Sequence, residues 1–343
     1  MSGSSLDGID LALCRFSYEG TQWNFIVEAT STYSYSAEWT QMLKTAPQLP
    51  TKDLFALNTK YSQYLGKRIV EFISTFKLQP DYIASHGHTV FHEPAQGFSY
   101  QMGDGAVLAQ ITKVATISDF RNKDIIYGGQ GAPLIPIGDE LLFGDYNACL
   151  NVGGIANISY REGDHRIGYD ICGANQLLNG LSEKINLPYD DEGRIASKGN
   201  VIPELLGHLN ENEFFQKPYP KSLSNQFVQQ YLVSPLLDYN AEIPDKIATA
   251  VEHIALQVAA ILDKLSPGNV LVTGGGAKNR FLIKTLAQLT PHRLVVPHEE
   301  LIDFKEAIVF AFMGALRVNE SVNCLASVTG ARQDSVCGKI DLP

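Results

Sequence analysis

Three glycine-rich turns decide the fold, and they read Ser2-Gly3-Ser4-Ser5-Leu6-Asp7-Gly8, Asn151-Val152-Gly153-Gly154-Ile155-Ala156-Asn157 and Thr273-Gly274-Gly275-Gly276-Ala277-Lys278-Asn279. Each turn adjoins a strand-like run rich in β-branched residues. Glycine has no Cβ, so backbone N–H groups at such turns can approach a bulky anion. Because the turns lie roughly 150 and 120 residues apart, we expect two halves of the protein to grip one polyphosphate.

Length and composition limit the possible classes of protein. The chain has 343 residues, of which 45% are hydrophobic, and a net charge of -10. That length predicts about two domains, and the absence of a basic stripe argues against a nucleic-acid partner. The five scattered cysteines form no C-x-x-C pair, which favours a reducing compartment. With no signal peptide and no apolar run of about 18 residues, we expect a cytoplasmic protein with no membrane partner.

Strands alternate with helices along the chain, which predicts an α/β fold. Apolar residues at helical spacing over 51–77 predict one long helix or two short ones, and a strand is expected over 166–170, ending at Asp170. Gly and Pro concentrate at residues 128–136, so we place the hinge there. We therefore expect an N-terminal domain over 1–136, joined by part of 318–343, and a C-terminal domain over 137–317.

The common nucleotide-binding motifs are absent from the sequence. Neither G-x-x-x-x-G-K-[ST] nor G-x-G-x-x-G occurs, which argues against a P-loop protein and a dinucleotide-dependent oxidoreductase. The first turn can hold ATP differently, through hydroxyls of Ser4 and Ser5 and amides near Gly3 and Gly8, with Asp7 or Asp10 binding Mg²⁺ through water. The alternative is a Ser/Gly-rich N-terminus without order.

Seven blocks of sequence resemble one family. They are M-S-G-S-S-L-D-G-I-D, S-H-G-H-T-V-F-H-E-P, D-F-R-N-K-D, G-G-Q-G-A-P-L-I-P, N-V-G-G-I-A-N-I-S, T-G-G-G-A-K-N and S-V-T-G-A-R-Q-D, in this order. The chain resembles the anhydro-N-acetylmuramic acid kinases over almost its whole length. The resemblance implies two actin-like (ribonuclease-H-like) domains, with mixed sheets flanked by helices and an ATP cleft between them.

The resemblance also implies an activity and a set of site residues. Such kinases use ATP and Mg²⁺ to open 1,6-anhydro-N-acetylmuramic acid with water and phosphorylate O6, in the recycling of peptidoglycan. The general base falls on Asp170, whose alternative role is a helix cap. The residues expected at ATP are Gly3, Ser4, Ser5, Leu6, Asp7, Gly8, Ile9, Asp10, Gly153, Gly154, Asn157, Gly274, Gly275, Gly276 and Asn279. Those expected at the sugar are Thr89, Asp119, Arg121, Asn175 and Glu306.

Several of these assignments have plainer alternatives. Arg121 suits the lactyl carboxylate of the sugar, but a surface salt bridge explains it too. Glu306 can equally be an exposed charge on a helix. His86, His88 and His92 have a loose spacing for zinc without an obvious fourth ligand, so we expect them to order a loop through hydrogen bonds.

Three departures from the family pattern keep a second hypothesis open. The block D-T-G-P-G-N reads Asp170-Ile171-Cys172-Gly173-Ala174-Asn175, and P-K-S-T-G-R-E reads Pro220-Lys221-Ser222-Leu223-Ser224-Asn225-Gln226. The strand that precedes M-S-G in the family is missing, which predicts a first hairpin with one arm and an unpaired sheet edge. The first hypothesis is an active kinase, by default a homodimer. The second is a catalytically weak relative that binds nucleotide or sugar as a sensor or scaffold.

Overall fold

A computed structural model describes residues 1–3 and 6–343. The chain divides into two compact units, Met1–Leu142 with Phe304–Pro343 (unit 1) and Phe143–Asp303 (unit 2). The two units divide at residues 142 and 303, compared with the domain boundaries at 136 and 317 that the sequence predicts. The second boundary between the units lies inside a continuous helix, Glu299–Val318.

Residues 1–3 and 6–343 form twelve strands and thirteen α-helices, numbered in chain order. The strands are β1 Gly8–Glu19, β2 Gln22–Ser34, β3 Ile83–Ala84, β4 His88–Glu93, β5 Phe98–Met102, β6 Thr116–Ser118, β7 Ala148–Val152, β8 Ile155–Glu162, β9 His165–Gly173, β10 Asn269–Thr273, β11 Arg293–Val295 and β12 Lys339–Asp341. The helices are α1 Ala37–Thr45, α2 Thr51–Phe76, α3 Gly105–Thr112, α4 Asn122–Ile126, α5 Pro136–Leu141, α6 Asn175–Ser182, α7 Pro203–Asn210, α8 Asn225–Val228, α9 Ser234–Asp238, α10 Ile243–Leu262, α11 Arg280–Leu289, α12 Glu299–Val318 and α13 Ala326–Thr329.

Unit 1 contains three small sheets packed with helices. Strands β1 and β2 form a long antiparallel hairpin, β12-β6-β3 form a mixed sheet, and β4 pairs with β5. Helix α2 buries one stripe, which includes Leu57, Tyr61 and Leu65, in the core of this unit. That stripe follows the helical spacing of apolar residues seen in the sequence. Of the two alternatives for residues 51–77, one long helix and not two short ones is present.

A groove of about 450 Å³ lies within unit 1 and is lined by β1, β3, α2 and α12. Ala12 of β1, Ala84 of β3 and Ala311 of α12 are among its walls. Strands β1 and β3 belong to different sheets, and β2 is the sheet neighbour of β1 among the described strands. Met1 and Asp10 exchange two backbone hydrogen bonds of 2.8 and 2.9 Å beside the groove.

Unit 2 is built on one five-stranded sheet of order β11-β10-β7-β8-β9. Strands β11, β10 and β7 are parallel, whereas β8 and β9 add an antiparallel meander. A large apolar core, to which α6, α10 and α11 contribute, covers this sheet. The expected α/β class with mixed sheets flanked by helices is confirmed.

Two local expectations were wrong. Asp170 does not end its strand, because β9 continues to Gly173, where residues 172 and 173 still pair with β8. Part of the loop expected around His86, His88 and His92 is a strand, because β4 begins at His88 and pairs with β5. In both places the tertiary pairing of a strand extends it beyond its own apolar run.

Candidate functional site

Two of the three glycine turns meet in unit 2. Gly153 and Gly154 join β7 to β8, and their carbonyls accept hydrogen bonds from the backbone N–H groups of residues 174–176, at distances of 2.9 to 3.2 Å. The Asn175 side chain donates to the Val152 carbonyl at 3.2 Å. The beginning of α6 is thereby attached to the first of these turns.

The third turn, which contains Gly274–Gly276, packs against the same strand end. Gly274 has a φ of +79°, and a Cβ on Gly276 would lie 2.3 Å from Cγ1 of Val152. Glycine is required at both positions, by backbone conformation at one and by close approach at the other. Gly275 is exposed, and a Cβ there would meet nothing closer than Nδ2 of Asn175 at 3.5 Å. This turn therefore offers open backbone of the kind that accommodates phosphate oxygens.

Asp170 lies in β9, next to the strand β8 that follows Gly153–Gly154, and pairs in register with Asn157. A β-bulge separates this pair from Ala156–Cys172, so that Ile171 is passed over. Asp170 is partly buried, and burial raises the pKa of its carboxyl group, while a hydrogen bond from the backbone of Leu223 opposes the rise. Asp170 does not cap the next helix, since Ala174 occupies the N-cap of α6.

Residues 219–223 run alongside β9 and hold Asp170 from the main chain; we call them the strap. The backbone N–H of Asp170 donates to the Lys221 carbonyl at 3.2 Å, and the Leu223 N–H donates to Oδ2 of Asp170 at 2.8 Å. The Tyr219 ring stacks on Tyr169, with ring centroids 5.7 Å apart. The Leu223 N–H thus orients the carboxylate directly, while the Lys221 contact and the aromatic pair hold the strap against β9.

The altered family blocks have structural roles in unit 2. Ile171 is 1% exposed and, like Leu223, belongs to the apolar core. Ser224 caps α8 by accepting from the Phe227 N–H at 3.1 Å, and Asn225 accepts from Gln176 at 2.8 Å. The residues that depart from the family pattern therefore stabilise the surroundings of Asp170.

Asn279 follows the third turn and serves in the structure as a helix cap. Its Oδ1 accepts from the Leu282 N–H at 3.0 Å at the start of α11. Gly193 packs against it so closely that a Cβ would lie 2.3 Å from this oxygen. A contact between Asn279 and nucleotide remains a prediction.

The first glycine turn belongs to unit 1. Ser4 and Ser5 lie outside the described residues. Leu6 adopts a left-handed conformation with φ of 58°, and Gly8 approaches the Tyr33 carbonyl so closely that a Cβ would lie 2.7 Å away.

The side chains of this turn differ in exposure. Asp7 is exposed, whereas Ile9 is fully buried in the core. Oδ1 of Asp10 accepts from the Thr32 hydroxyl at 2.6 Å; the Gly3 backbone is partly buried.

Arg121 is the most tightly held of the residues expected at the sugar. Its Nε and Nη2 both donate to Nε2 of His86, at 3.0 and 2.7 Å, and its Nη1 donates to the Gly131 carbonyl at 2.6 Å. Burial lowers the pKa of Arg121 to about 10, with the charge of Glu306 opposing this. Arg121 therefore stays charged at neutral pH, and it is not the surface salt bridge considered from sequence.

Of the other residues expected at the sugar in unit 1, Asp119 and Glu306 are exposed, whereas Thr89 is partly buried, as Arg121 is. Asp119 has φ of 55°, and its carboxylate accepts from the Asn122 side chain at 2.9 Å. Thr89 accepts from Gln101 at 3.4 Å. Glu306 lies on α12 and is exposed. The pKa of its carboxyl group is raised, mainly by desolvation from the surrounding protein, and the nearby Arg121 charge opposes this rise.

The histidines of this region act through hydrogen bonds. His88 contacts Ser2 at 3.1 Å and His92 contacts Ser99 at 3.0 Å. Over residues 1–3 and 6–343, no group of three or more His, Cys, Asp and Glu side chains could hold a metal ion. In the same part of the chain, no helix is long and apolar enough to span a membrane.

Reasoning from the sequence did not identify two contributors to the site. His86 was considered for a loop or zinc, not as the partner of Arg121. Leu223 was considered only as a departure from the family pattern. Both act on residues far along the chain, 35 and 53 positions away. The signal in the sequence for His86 was its place within the family block S-H-G-H-T-V-F-H-E-P.

Exposed glycine backbone and a partly buried carboxylate in one unit are the parts that phosphoryl transfer to a small molecule requires. The class is a sugar kinase, as comparison with known proteins shows. The profile of the anhydro-N-acetylmuramic acid kinase family matches residues 1–342. The anhydro-N-acetylmuramic acid kinase of Shewanella frigidimarina is 34% identical, over 98% of this chain and 96% of that protein. The one of Pasteurella multocida is 35% identical, over 99% and 95%.

The chain belongs to the anhydro-N-acetylmuramic acid kinase family. The resemblance inferred from the sequence blocks is confirmed over the whole chain, and membership in a family of kinases supports the use of ATP. Among solved structures, a ROK hexokinase from Thermus thermophilus aligns with 88% of this chain and 98% of its own, at 10% identity and a TM-score of 0.33. That likeness is too distant to bear on function.

Proposed function

We propose that this chain opens 1,6-anhydro-N-acetylmuramic acid with water and transfers the γ-phosphoryl group of ATP to O6, giving N-acetylmuramic acid 6-phosphate. Asp170 is the general base in this proposal. It removes a proton from water, the resulting hydroxide attacks the anomeric carbon, and the bond between C1 and O6 breaks. The freed O6 then attacks the γ-phosphorus as ADP leaves.

The single observation that supports this role is the environment of the Asp170 carboxylate. Burial raises the pKa of this carboxyl group. Because its pKa is higher, the Asp170 carboxylate accepts a proton from water more readily than an ordinary surface carboxylate does. The Leu223 N–H bonds only one oxygen, Oδ2. Oδ1 is left for the attacking water in this proposal.

We assign the phosphates of ATP to the glycine turns. The exposed Gly275 backbone and the Gly153–Gly154 hairpin present amides to phosphate oxygens. Mg²⁺ is a further part of the proposal, because Asp7 is an exposed carboxylate and Mg²⁺ retains several waters when bound by one or two carboxylates. When bound, the ion would neutralise charge on the transferring phosphoryl group.

We assign the sugar's lactyl carboxylate to Arg121. A guanidinium held from one side presents its remaining N–H groups as a fork that suits a carboxylate. Thr89, Asp119, Asn175 and Glu306 are proposed contacts to the hydroxyl and acetamido groups of the sugar. Glu306 is exposed and within electrostatic reach of Arg121, which fits this assignment.

The test is a coupled assay of ADP release, with and without the anhydro sugar, on the wild type and Asp170→Asn. We expect sugar-dependent turnover in the wild type and a loss of about 10²–10⁴-fold in the variant, the usual contribution of a general base. Asp164→Asn, at an exposed turn between β8 and β9, is the control. Equal turnover by wild type and Asp170→Asn would remove Asp170 from the mechanism. Tight ATP binding without sugar-dependent ADP release would support the sensor or scaffold hypothesis instead.

A further inference from the structure

The contact between His86 and Arg121 defines the protonation of the imidazole. Two guanidinium N–H groups, on Nε and Nη2, converge on Nε2 of His86. Guanidinium nitrogens only donate, so Nε2 must carry a lone pair. Nδ1 lies 3.1 Å from the Gly87 carbonyl and donates to it. The hydrogen-bond network therefore assigns His86 as the neutral tautomer with its proton on Nδ1.

The surroundings of His86 keep it in this state. The side chain is 6% exposed, and its ring packs against Phe310 with centroids 4.7 Å apart. Burial and the neighbouring Arg121 charge hold the pKa of His86 well below its usual range. His86 is thus a fixed acceptor that does not titrate near neutral pH, and its ring cannot turn away without losing the packing on Phe310.

Counting donors shows what Arg121 has left. A guanidinium has five N–H groups. His86 takes one from Nε and one from Nη2, and the Gly131 carbonyl takes one from Nη1. Counted over the contacts of the described residues, one N–H remains on each terminal nitrogen. Two such donors on neighbouring nitrogens match the two oxygens of a carboxylate.

We propose that His86 is a positioning residue, which holds the guanidinium of Arg121 so that both terminal nitrogens bind the carboxylate of the sugar substrate. The enzyme thereby selects sugars that carry this carboxylate over neutral analogues of the same ring. The inference rests on the proposed function, because it assigns the same sugar site a basis for substrate choice. His86 itself touches no substrate.

The test compares two sugars across variants of His86 and Arg121. 1,6-Anhydro-N-acetylglucosamine has the same bridged ring without the lactyl ether, so it cannot use Arg121 in this way. His86→Phe keeps an aromatic ring beside Phe310 but removes the acceptor. We expect it to raise KM for the muramic sugar about tenfold or more, the order of a hydrogen bond to a charged group. KM for ATP and for the neutral sugar should not change.

Two further variants separate positioning from a structural role. His86→Gln supplies an amide oxygen as acceptor and should recover part of the selectivity. In a double-mutant cycle, His86→Phe should add little to the loss of selectivity in Arg121→Lys, because both remove one interaction. His86→Leu serves the same comparison if the phenylalanine variant does not fold, with folding checked by circular dichroism.

The outcomes distinguish this inference from the proposed function. A wild type that does not turn over the muramic sugar would overturn the proposed function and this inference together. Normal wild-type turnover with an unchanged ratio of KM values in His86→Phe would overturn only the role of His86. An equal loss on both sugars would show that His86 supports the fold and not the choice of substrate, and would also overturn the inference.

Discussion

The Leu223 backbone N–H donates to Oδ2 of Asp170 over 2.8 Å, although the residues are 53 positions apart. The strap that carries Leu223 also accepts from the Asp170 N–H through Lys221. A carboxylate held in this way keeps one orientation, and hydrogen bonding to its charged form opposes the effect of burial on its pKa. The strap therefore sets both where Asp170 points and the pH at which it becomes a base.

Leu223→Pro should move the acid limb of the pH profile of kcat/KM to higher pH. Proline has no N–H, so the charged form of Asp170 loses a hydrogen bond and its pKa rises. A hydrogen bond to a charged group is worth about 1.5–3 kcal/mol, which corresponds to roughly 1–2 pH units. Leu223→Ala is the matched control, because it loses the same buried side chain and keeps the N–H. Identical acid limbs in the two variants would contradict this role of the strap.

Gly275→Ala and Gly276→Ala should fail in different ways. A Cβ at residue 276 would lie 2.3 Å from Val152, so overpacking should lower the free energy of unfolding by about 1–3 kcal/mol. A Cβ at residue 275 has 3.5 Å of room and should leave stability almost unchanged. We expect Gly275→Ala to raise KM for ATP while KM for the sugar stays constant. A folded Gly275→Ala enzyme with wild-type KM for ATP would argue against phosphate binding at this turn.

Protein stability should fall in acid, and His253 should account for a measurable part of the fall. Burial lowers the pKa of His253 to about 3, whereas an unfolded histidine titrates near 6.5. Between these values only the unfolded state binds the proton, so stability decreases as the pH drops from about 6.5 towards 3. In His253→Phe, the loss of unfolding free energy between pH 7 and 5 should be smaller by roughly 2 kcal/mol.

Urea titrations at both pH values would measure this difference. Asn210 keeps a 2.9 Å hydrogen bond from Gln257 in the variant, so no new orphan acceptor complicates the comparison. Parallel pH dependences for wild type and His253→Phe would contradict the prediction. His86 should contribute in the same direction, because its pKa is also lowered.

Ala311→Leu should stabilise unit 1 by about 1–2 kcal/mol. Ala311 lies on α12 and lines the groove beside β1 and β3, where added methyl and methylene groups leave water, at about 0.8 kcal/mol for each buried CH₂. Leucine also retains good helix propensity. Ala311→Ser, which adds volume without apolar gain, is the control. Thermal unfolding that is equal in both variants would show that the groove does not bury the new side chain.

Much of the fold follows from local patterns in the sequence. The stripe that includes Leu57, Tyr61 and Leu65 predicts α2, and β-branched runs beside glycine turns predict β7, β8 and β10. Asp170 was misplaced at a strand end because the pairing of Cys172 and Gly173 with β8 depends on a bulge. No local pattern encodes a bulge, since it arises from the register between two strands.

The site was predictable where side chains carry it and not where the main chain does. Asp170 and Arg121 are polar residues in family blocks, so the sequence draws attention to them. The donor from Leu223 is an N–H that every residue except proline has, so its residue type reveals nothing. His86 looked like a possible metal ligand because imidazole serves both roles, and only its distance to Arg121 decides between them.

A main-chain donor places little demand on the side chain above it. The side chains of residues 223–226 can therefore change during evolution, from charged residues to core and capping residues, while the backbone N–H of residue 223 still donates to the same carboxylate. Divergence at such a place is poor evidence of a pseudoenzyme. Surveys that count conserved side chains would discard sequences like this one, whereas a survey of backbone geometry around the aspartate would retain them.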